Sequence, residues 1–306
     1  MQSPDSREAI LIVGTGALAT LFAARLSAVG LQVTMLGSWQ EALAALNERG
    51  ARLADGGAFP VHAVSATAAC RDTRYALVLV KAWQTERAAR ALAECLAEDG
   101  LAVTLQNGLG NRETLAAALG ERRVALGVTT LGATLLAAGL VRPGGEGTIS
   151  IESHPRLPPL ITMLSQAGFP VEVVHDAQTL LWRKLVINAA INPLTALLRV
   201  PNGGLLESPA ARWLMGALAE ETAAVARALG LELDIPSPAL FAEEVARRTA
   251  QNLSSMLQDV LRGAPTEIDA ICGAIARQGA ARGVPVPFNT AMWYLVRALC
   301  ERTASV

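Results

Sequence analysis

The chain has 306 residues, 52% of them hydrophobic, 17% charged and 4% aromatic, with a formal net charge of -1. That is a globular composition, long enough for a sizeable core and, by length, for about two domains. The near-neutral balance leaves no basic footprint for nucleic acid or an anionic membrane surface, and the scarcity of aromatics argues against base stacking.

The opening "MQSPDSREA" is polar and lacks a signal-peptide n-region, so a cytoplasmic protein is expected. "ILIVGTGALATLFAARLSAV" is apolar enough to raise a membrane span, but two glycines and Arg25 interrupt it and its period changes midway. A buried strand, a tight turn and a helix fit it better. In order, the pattern predicts a strand over 9–14, a helix over 17–30, a strand over 32–36 and a helix over 39–50. A strand over 75–81, a helix over 85–100, a strand over 101–108 and a helix over 111–120 follow. Later strands are read at 123–135 and 145–153, then a helix and a last strand within 157–174. Continuous apolar strands separated by helices predict an α/β half with a parallel, doubly wound sheet of Rossmann type.

From about His175 the strand signal vanishes, and helices are predicted over 178–198, 208–229, 238–262, 265–283 and 288–302. Pro193, inside the first of these, should end or kink it. The expected organisation is therefore 1–175 as a dinucleotide-binding domain and 176–306 as an all-α substrate and catalytic domain. Cys70, Cys95, Cys272 and Cys300 form no CxxC pair, and the three histidines are scattered, so no metal site is expected and the thiols are read as free and mostly buried.

The turn "GTGAL", Gly14–Thr15–Gly16–Ala17–Leu18, follows a strand and opens a helix, with Ala19 at the third small-residue position. Gly14 permits the turn, Gly16 admits a pyrophosphate to the backbone, and the helix N-terminus offers N–H groups to phosphates. After the second strand, where an acidic residue would hold a ribose 2′-OH, stand Gly37, Ser38 and Trp39, and no arginine is present for a 2′-phosphate. Ser38 can bond a phosphate or cap the next helix, and Trp39 can stack on adenine.

Of 26 basic residues only Lys81 and Lys184 are lysine. Lys81 ends a strand of the α/β half, where it faces either a nucleotide or solvent. Lys184, Asn188 and Asn192 recur every fourth residue along one face of an apolar helix. A buried ammonium must be paired, exposed or neutralised, and two mid-helix asparagines on the same face favour a polar wall over a snorkelling lysine. "QNGLGN" places Asn107 beyond a strand, as a turn or as a site residue. On the helical half, Asn252, Ser255 and Asp259 are expected to share one helix face, and Glu267 to stand in the first turn of the helix after Gly263 and Pro265.

"GTGALAT", "LVLVKAWQT", "QNGLGN", "LWRKLVINAAINPLTAL", "PNGGLL" and "NLSSMLQDVLRGAPTEIDAICG" together resemble the ketopantoate reductase (2-dehydropantoate 2-reductase) family over nearly the whole chain. The resemblance implies NADPH-dependent reduction of 2-dehydropantoate to pantoate, on the route to pantothenate and coenzyme A. It implies Lys184 as the catalytic lysine, Glu267 as the glutamate paired with the substrate hydroxyl, and Asn107 near both nicotinamide and substrate. It places Asn188, Asn192, Asn252 and Ser255 in the substrate pocket and Lys81 on the cofactor side. Ser38 stands where many members carry the arginine that reads the 2′-phosphate, which leaves NADH as an alternative donor. Other small 2-oxo acids remain open as substrates, and so does a non-catalytic dinucleotide sensor. A homodimer is compatible with the helical half but not required by it.

Overall fold

The computed structural model describes residues 9–303. Contacts divide the chain into two units: residues up to 106 with 111–177, and residues 107–110 with those from 178 onward. The division after Ala177 lies two residues beyond the expected one, and the four-residue segment carrying Asn107 groups with the helices rather than with the α/β half.

In the first unit the order is β1 (Ala9–Val13), α1 (Ala17–Ala28), β2 (Gln32–Leu36), α2 (Gln40–Arg49), β3 (Ala51–Leu53), β4 (Ala58–Phe59) and β5 (His62–Val64). There follow β6 (Thr73–Val78), α3 (Thr85–Cys95), β7 (Leu96–Thr104), α4 (Asn111–Leu119) and β8 (Val124–Thr129). β9 (Ala133–Ala137), β10 (Leu140–Pro143), β11 (Ile149–Glu152), α5 (Pro158–Gln166) and β12 (Val171–Val174) complete it.

Alternation along β1 sends Ile10 and Ile12 to one face and Leu11 and Val13 to the other, and all four are buried. The first face packs against Phe22 and Leu26 of α1 and Leu160 and Leu164 of α5. The second packs against Leu92 of α3 and Leu115 of α4. A strand covered on both faces needs a continuous apolar run, which is why "ILIV" carries no polar residue. Burying each such side chain stabilises the fold by about 1.5–3 kcal/mol.

The main sheet has the order β12-β11-β8-β7-β6-β1-β2-β5. It is parallel except at β8–β11, which pair antiparallel, so the fully parallel expectation is corrected there. The reason is local: β11 follows β8 by way of β9 and β10 rather than a crossover helix, which returns the chain in the opposite direction. β9 and β10, paired antiparallel, join β3 and β4 in a second sheet of order β4-β3-β10-β9. The expected strand over 123–135 is thus two strands, β8 and β9, and the expected helix over 85–100 stops at Cys95. Its last five positions instead enter β7, where Ala97–Gly100 bulge between the pairs Thr73–Leu96 and Tyr75–Leu101.

The order of the main sheet reverses at β1: the chain passes from β1 to β2 on one side and returns through β6 on the other. In an open α/β sheet that reversal opens a crevice at the carboxyl ends of the flanking strands.

The second unit contains α6 (Ala177–Leu198), α7 (Gly204–Glu207), α8 (Pro209–Ala228), α9 (Pro238–Arg248), α10 (Ser255–Leu261), α11 (Cys272–Arg282) and α12 (Pro287–Thr303). No strand is present among its described residues. Its core runs from Trp182, Val186 and Ile191 of α6 to Met215 and Leu218 of α8, Ile275 of α11 and Val296 of α12. Pro193 does not end α6, which continues to Leu198, the end expected for it. Pro193 and Leu194 are buried, so tertiary packing outweighs the missing backbone donor. The expected helix over 238–262 is two helices, because the chain breaks after Arg248 and restarts at Ser255.

Candidate active site

In the first unit, the turn after β1 lies at the sheet's reversal point. Gly14 has φ +133°, and a Cβ there would come within 3.1 Å of the Leu79 carbonyl carbon and oxygen. Its N–H donates to Leu36 O at 2.8 Å, and Leu79 N donates to Val13 O at 2.9 Å, so the turn is tied to the ends of both β2 and β6. Gly16 is different. Its backbone is ordinary (φ -82°, ψ -170°), and a Cβ on it would meet no atom within 4 Å. Neither backbone geometry nor packing within the chain calls for glycine there. It stands at the N-cap of α1, with no side chain capping that helix. Open space beside uncapped N–H groups is what a pyrophosphate requires, so the turn fits a dinucleotide. Thr15 is buried, and Ala17 and Leu18 are half-buried at the start of α1.

Ser38 and Trp39 are exposed after β2. Trp39, not Ser38, is the N-cap residue of α2, and no side chain caps that helix, so Ser38 does not take the capping role. Lys81 is half-buried and lies three residues past the end of β6, in the loop that leads to α3. That loop is held by Gln106, whose Nε2 donates to Val80 O at 3.0 Å and to Thr85 Oγ1 at 2.8 Å. Gln106 Oε1 accepts from Thr104 Oγ1 at 3.0 Å, and Thr85 Oγ1 lies 2.8 Å from Asn111 Oδ1. All four side chains are buried, and such groups stay in place only when mutually hydrogen-bonded.

In the second unit, Lys184 is half-buried on α6. Burial among apolar neighbours pushes its ammonium down from 10.5 to about 8, while the nearby Glu267 carboxylate pulls the other way. Asn188, one turn on, is half-buried, and Asn192, two turns on, is buried. The helical period stacks the three on one face. Glu267 is buried at 6% exposure, and its Oε2 accepts a hydrogen bond from Asn107 Nδ2 at 3.3 Å. The Asn107 turn is seated by Leu109 N donating to Ala270 O at 2.9 Å. Gly108 is required in it: its φ is +82°, and a Cβ would come 2.6 Å from Ala270 O.

Glu267 does not open a helix as expected. It stands in a turn before α11, and its carbonyl accepts from Ala270 N and Ile271 N, both at 3.1 Å. Asn252 is exposed and lies before α10, so it does not share a helix face with Ser255 and Asp259. Ser255 begins α10 and is half-buried. Lys184, Glu267 and Asn107 are thus brought together. Among the described residues no group of three or more metal-ligating side chains occurs, and the cysteines form no disulfide. No described helix is long and apolar enough to cross a membrane.

Residues 10–156 match the family model "Ketopantoate reductase PanE/ApbA", and residues 176–300 match "Ketopantoate reductase PanE/ApbA C terminal". The chain belongs to the ketopantoate reductase family. A relative from Archaeoglobus fulgidus, named 2-dehydropantoate 2-reductase, is 37% identical over 297 residues, spanning 95% of this chain and 97% of its own. The crystal structure of a PanE/ApbA family ketopantoate reductase from Ralstonia eutropha superposes with a TM-score of 0.90 at 32% identity, covering 97% of this chain and 99% of that one. D-mandelate dehydrogenase, solved with NADH and anilino(oxo)acetate, shares the fold at a TM-score of 0.89 and 24% identity, over 97% of this chain and 99% of that one.

Several residues that hold this ketopantoate reductase fold around its polar groups are not singled out by the sequence. Ser254, the buried N-cap of α10, accepts from Leu257 N at 3.1 Å and lies 2.7 Å from Thr195 Oγ1 on α6. Asn202, in "PNGGLL", donates from its backbone to Asn252 O at 3.0 Å and from Nδ2 to Thr249 Oγ1 at 2.9 Å. Thr195 was findable, because it extends the Lys184–Asn188–Asn192 stripe by three residues. Asn202 carries no periodic signal, since its partners lie about fifty residues away.

Proposed function

We propose that this protein reduces 2-dehydropantoate to pantoate, with NADPH as hydride donor and NADH also accepted. The observation that carries the reading is the Lys184–Glu267–Asn107 arrangement: an ammonium held near pKa 8 by burial, under the field of a buried carboxylate that an amide orients.

When bound, the dihydronicotinamide supplies the hydride; the rest falls to the protein. With a pKa of about 8, Lys184 is mostly protonated at pH 7 yet is a far better proton donor than an unperturbed lysine. It polarises the C2 carbonyl oxygen and donates its proton to the alkoxide that reduction creates. Glu267 accepts the substrate hydroxyl, and its charge keeps Lys184 protonated. Asn188, Asn192, Asn252 and Ser255 hold hydroxyl and carboxylate groups of the 2-oxo acid without competing for the transferred proton. Gly14, Thr15, Gly16, Ala17 and Leu18 receive the pyrophosphate, and Lys81 serves the cofactor side. The exposed Ser38 hydroxyl can bond either a ribose hydroxyl or a 2′-phosphate, which is why both donors are assigned.

A steady-state assay with ketopantoate, run in parallel with NADPH and NADH, tests the reading. Turnover with ketopantoate well above that with other branched 2-oxo acids is the expected result. No oxidation of either cofactor by any such acid would overturn it.

A further inference from the structure

The turn that carries Glu267 is bound on its other side by groups that the reaction itself does not use. Asp269, two residues after Glu267, accepts at Oδ1 from Trp293 Nε1 of α12 at 2.6 Å. The Asp269 carbonyl accepts from Arg277 Nη2 of α11 at 2.8 Å. The Arg277 guanidinium lies 5.4 Å from the centroid of the Trp293 ring, so indole, guanidinium and turn form one closed arrangement. Gly273 makes room for it, since a Cβ there would come 2.8 Å from Trp293 Cε2 and 2.9 Å from Nε1.

The Asp269 side chain is 63% exposed. Core packing therefore does not explain a 2.6 Å indole–carboxylate bond at that position. Within the turn, Glu267 O accepts from Ala270 N and Ile271 N, and Ala270 O accepts from Leu109 N, but none of these bonds holds the Asp269 carbonyl or side chain, which fall to Arg277 and Trp293.

We propose that Trp293 and Asp269 are positioning residues, forming with Arg277 a latch that fixes the Glu267 turn in the geometry the reaction needs. This rests on the assignment of Glu267 to the substrate hydroxyl. The latch acts on substrate and turnover and not on the dinucleotide, because none of its members lies in the glycine turn or the Lys81 loop.

Three variants separate the latch from general packing. Trp293→Phe keeps a ring over Gly273 and removes the donor; Asp269→Ala removes the acceptor at an exposed site; Asp269→Asn keeps an oxygen acceptor. Hydrogen–deuterium exchange of the 264–271 amides is the first readout, and it needs no activity. Trp293→Phe and Asp269→Ala should speed exchange there several-fold, while Asp269→Asn stays near the parent. In steady-state assays the first two should lower kcat/KM for ketopantoate about tenfold with the KM for NADPH unchanged, and Asp269→Asn should restore it. In a Glu267→Gln background, Trp293→Phe should add little, because residues acting as one unit are not additive. Unchanged exchange in both disrupting variants, or full additivity with an impaired Glu267→Gln, would overturn the latch. A fully active Glu267→Gln enzyme would overturn the Glu267 assignment instead, leaving the exchange result to decide the latch. Should Trp293→Phe fold poorly, the exposed Asp269→Ala and Asp269→Asn pair carries the same comparison.

Discussion

Asn107 Nδ2 lies 3.3 Å from Glu267 Oε2, joining two residues 160 positions apart in the chain. The amide donates to the carboxylate and so orients Glu267. Asn107→Ala should leave that buried carboxylate short of a donor. The expected result is a raised KM for ketopantoate and a loss of about 1–3 kcal/mol in stability, read by steady-state kinetics and thermal melting.

Lys184→Ala should lower kcat by about a hundred- to ten-thousand-fold, the range for removing a positioned general acid. The glycine turn and the Lys81 loop, proposed to hold most of the dinucleotide, lie in the first unit and not beside Lys184 in the chain, so the Kd for NADPH from fluorescence titration should change little. Near-parent turnover in this variant would sink the role of Lys184.

The acid must be protonated to act, so reduction should decline as pH rises through about 8. The reverse oxidation, which needs the free amine, should rise over the same interval. The Glu267 carboxylate raises the Lys184 pKa, so Glu267→Gln should move the alkaline limb of the kcat profile to lower pH. A limb that stays put or moves upward would contradict the coupling.

Two neighbouring glycines should respond oppositely. At Gly14, alanine meets both a φ of +133° and backbone atoms at 3.1 Å, so Gly14→Ala should lose about 1–3 kcal/mol of stability. At Gly16 an added Cβ meets nothing, so Gly16→Ala should melt like the parent. Its cost should appear only as cofactor affinity weakened about tenfold or more, a loss of roughly 1.4 kcal/mol.

Ser38→Arg places a guanidinium at an exposed site that caps no helix, so stability should change by no more than about 0.5 kcal/mol. The ratio of kcat/KM with NADPH to that with NADH should rise about tenfold, as expected for one charge-assisted bond to a 2′-phosphate. An unchanged ratio would show that position 38 does not meet the ribose.

Elements governed by local pattern were legible in the sequence. β2 coincides with "QVTML", and the strand–glycine–helix passage around Gly14 needs only neighbouring residues to specify it. The small sheet was not legible, because β3 and β4 have three and two residues and β3 finds its partner β10 nearly ninety positions away. At Pro193 the sequence left two outcomes open, an end or a kink, because the proline's cost is local whereas the packing that carries the helix on to Leu198 comes from α8, α11 and α12. The stripe of Lys184, Asn188 and Asn192 was visible because a helix turns distance into period. The place of Glu267 was not, since a turn fixed by Asn107, Ala270, Trp293 and Arg277 has no period to read.

The burial of Lys184 also sets a thermodynamic cost that has nothing to do with substrate. Its pKa is about 8 in the folded chain against 10.5 for a free side chain, so between those values the unfolded state binds more protons. Stability should therefore rise with pH across that window, by up to about 3 kcal/mol from this group alone. Below pH 8 the fold carries the full penalty of a charged, desolvated ammonium. The proton that the reaction needs at neutral pH is one that folding works to expel.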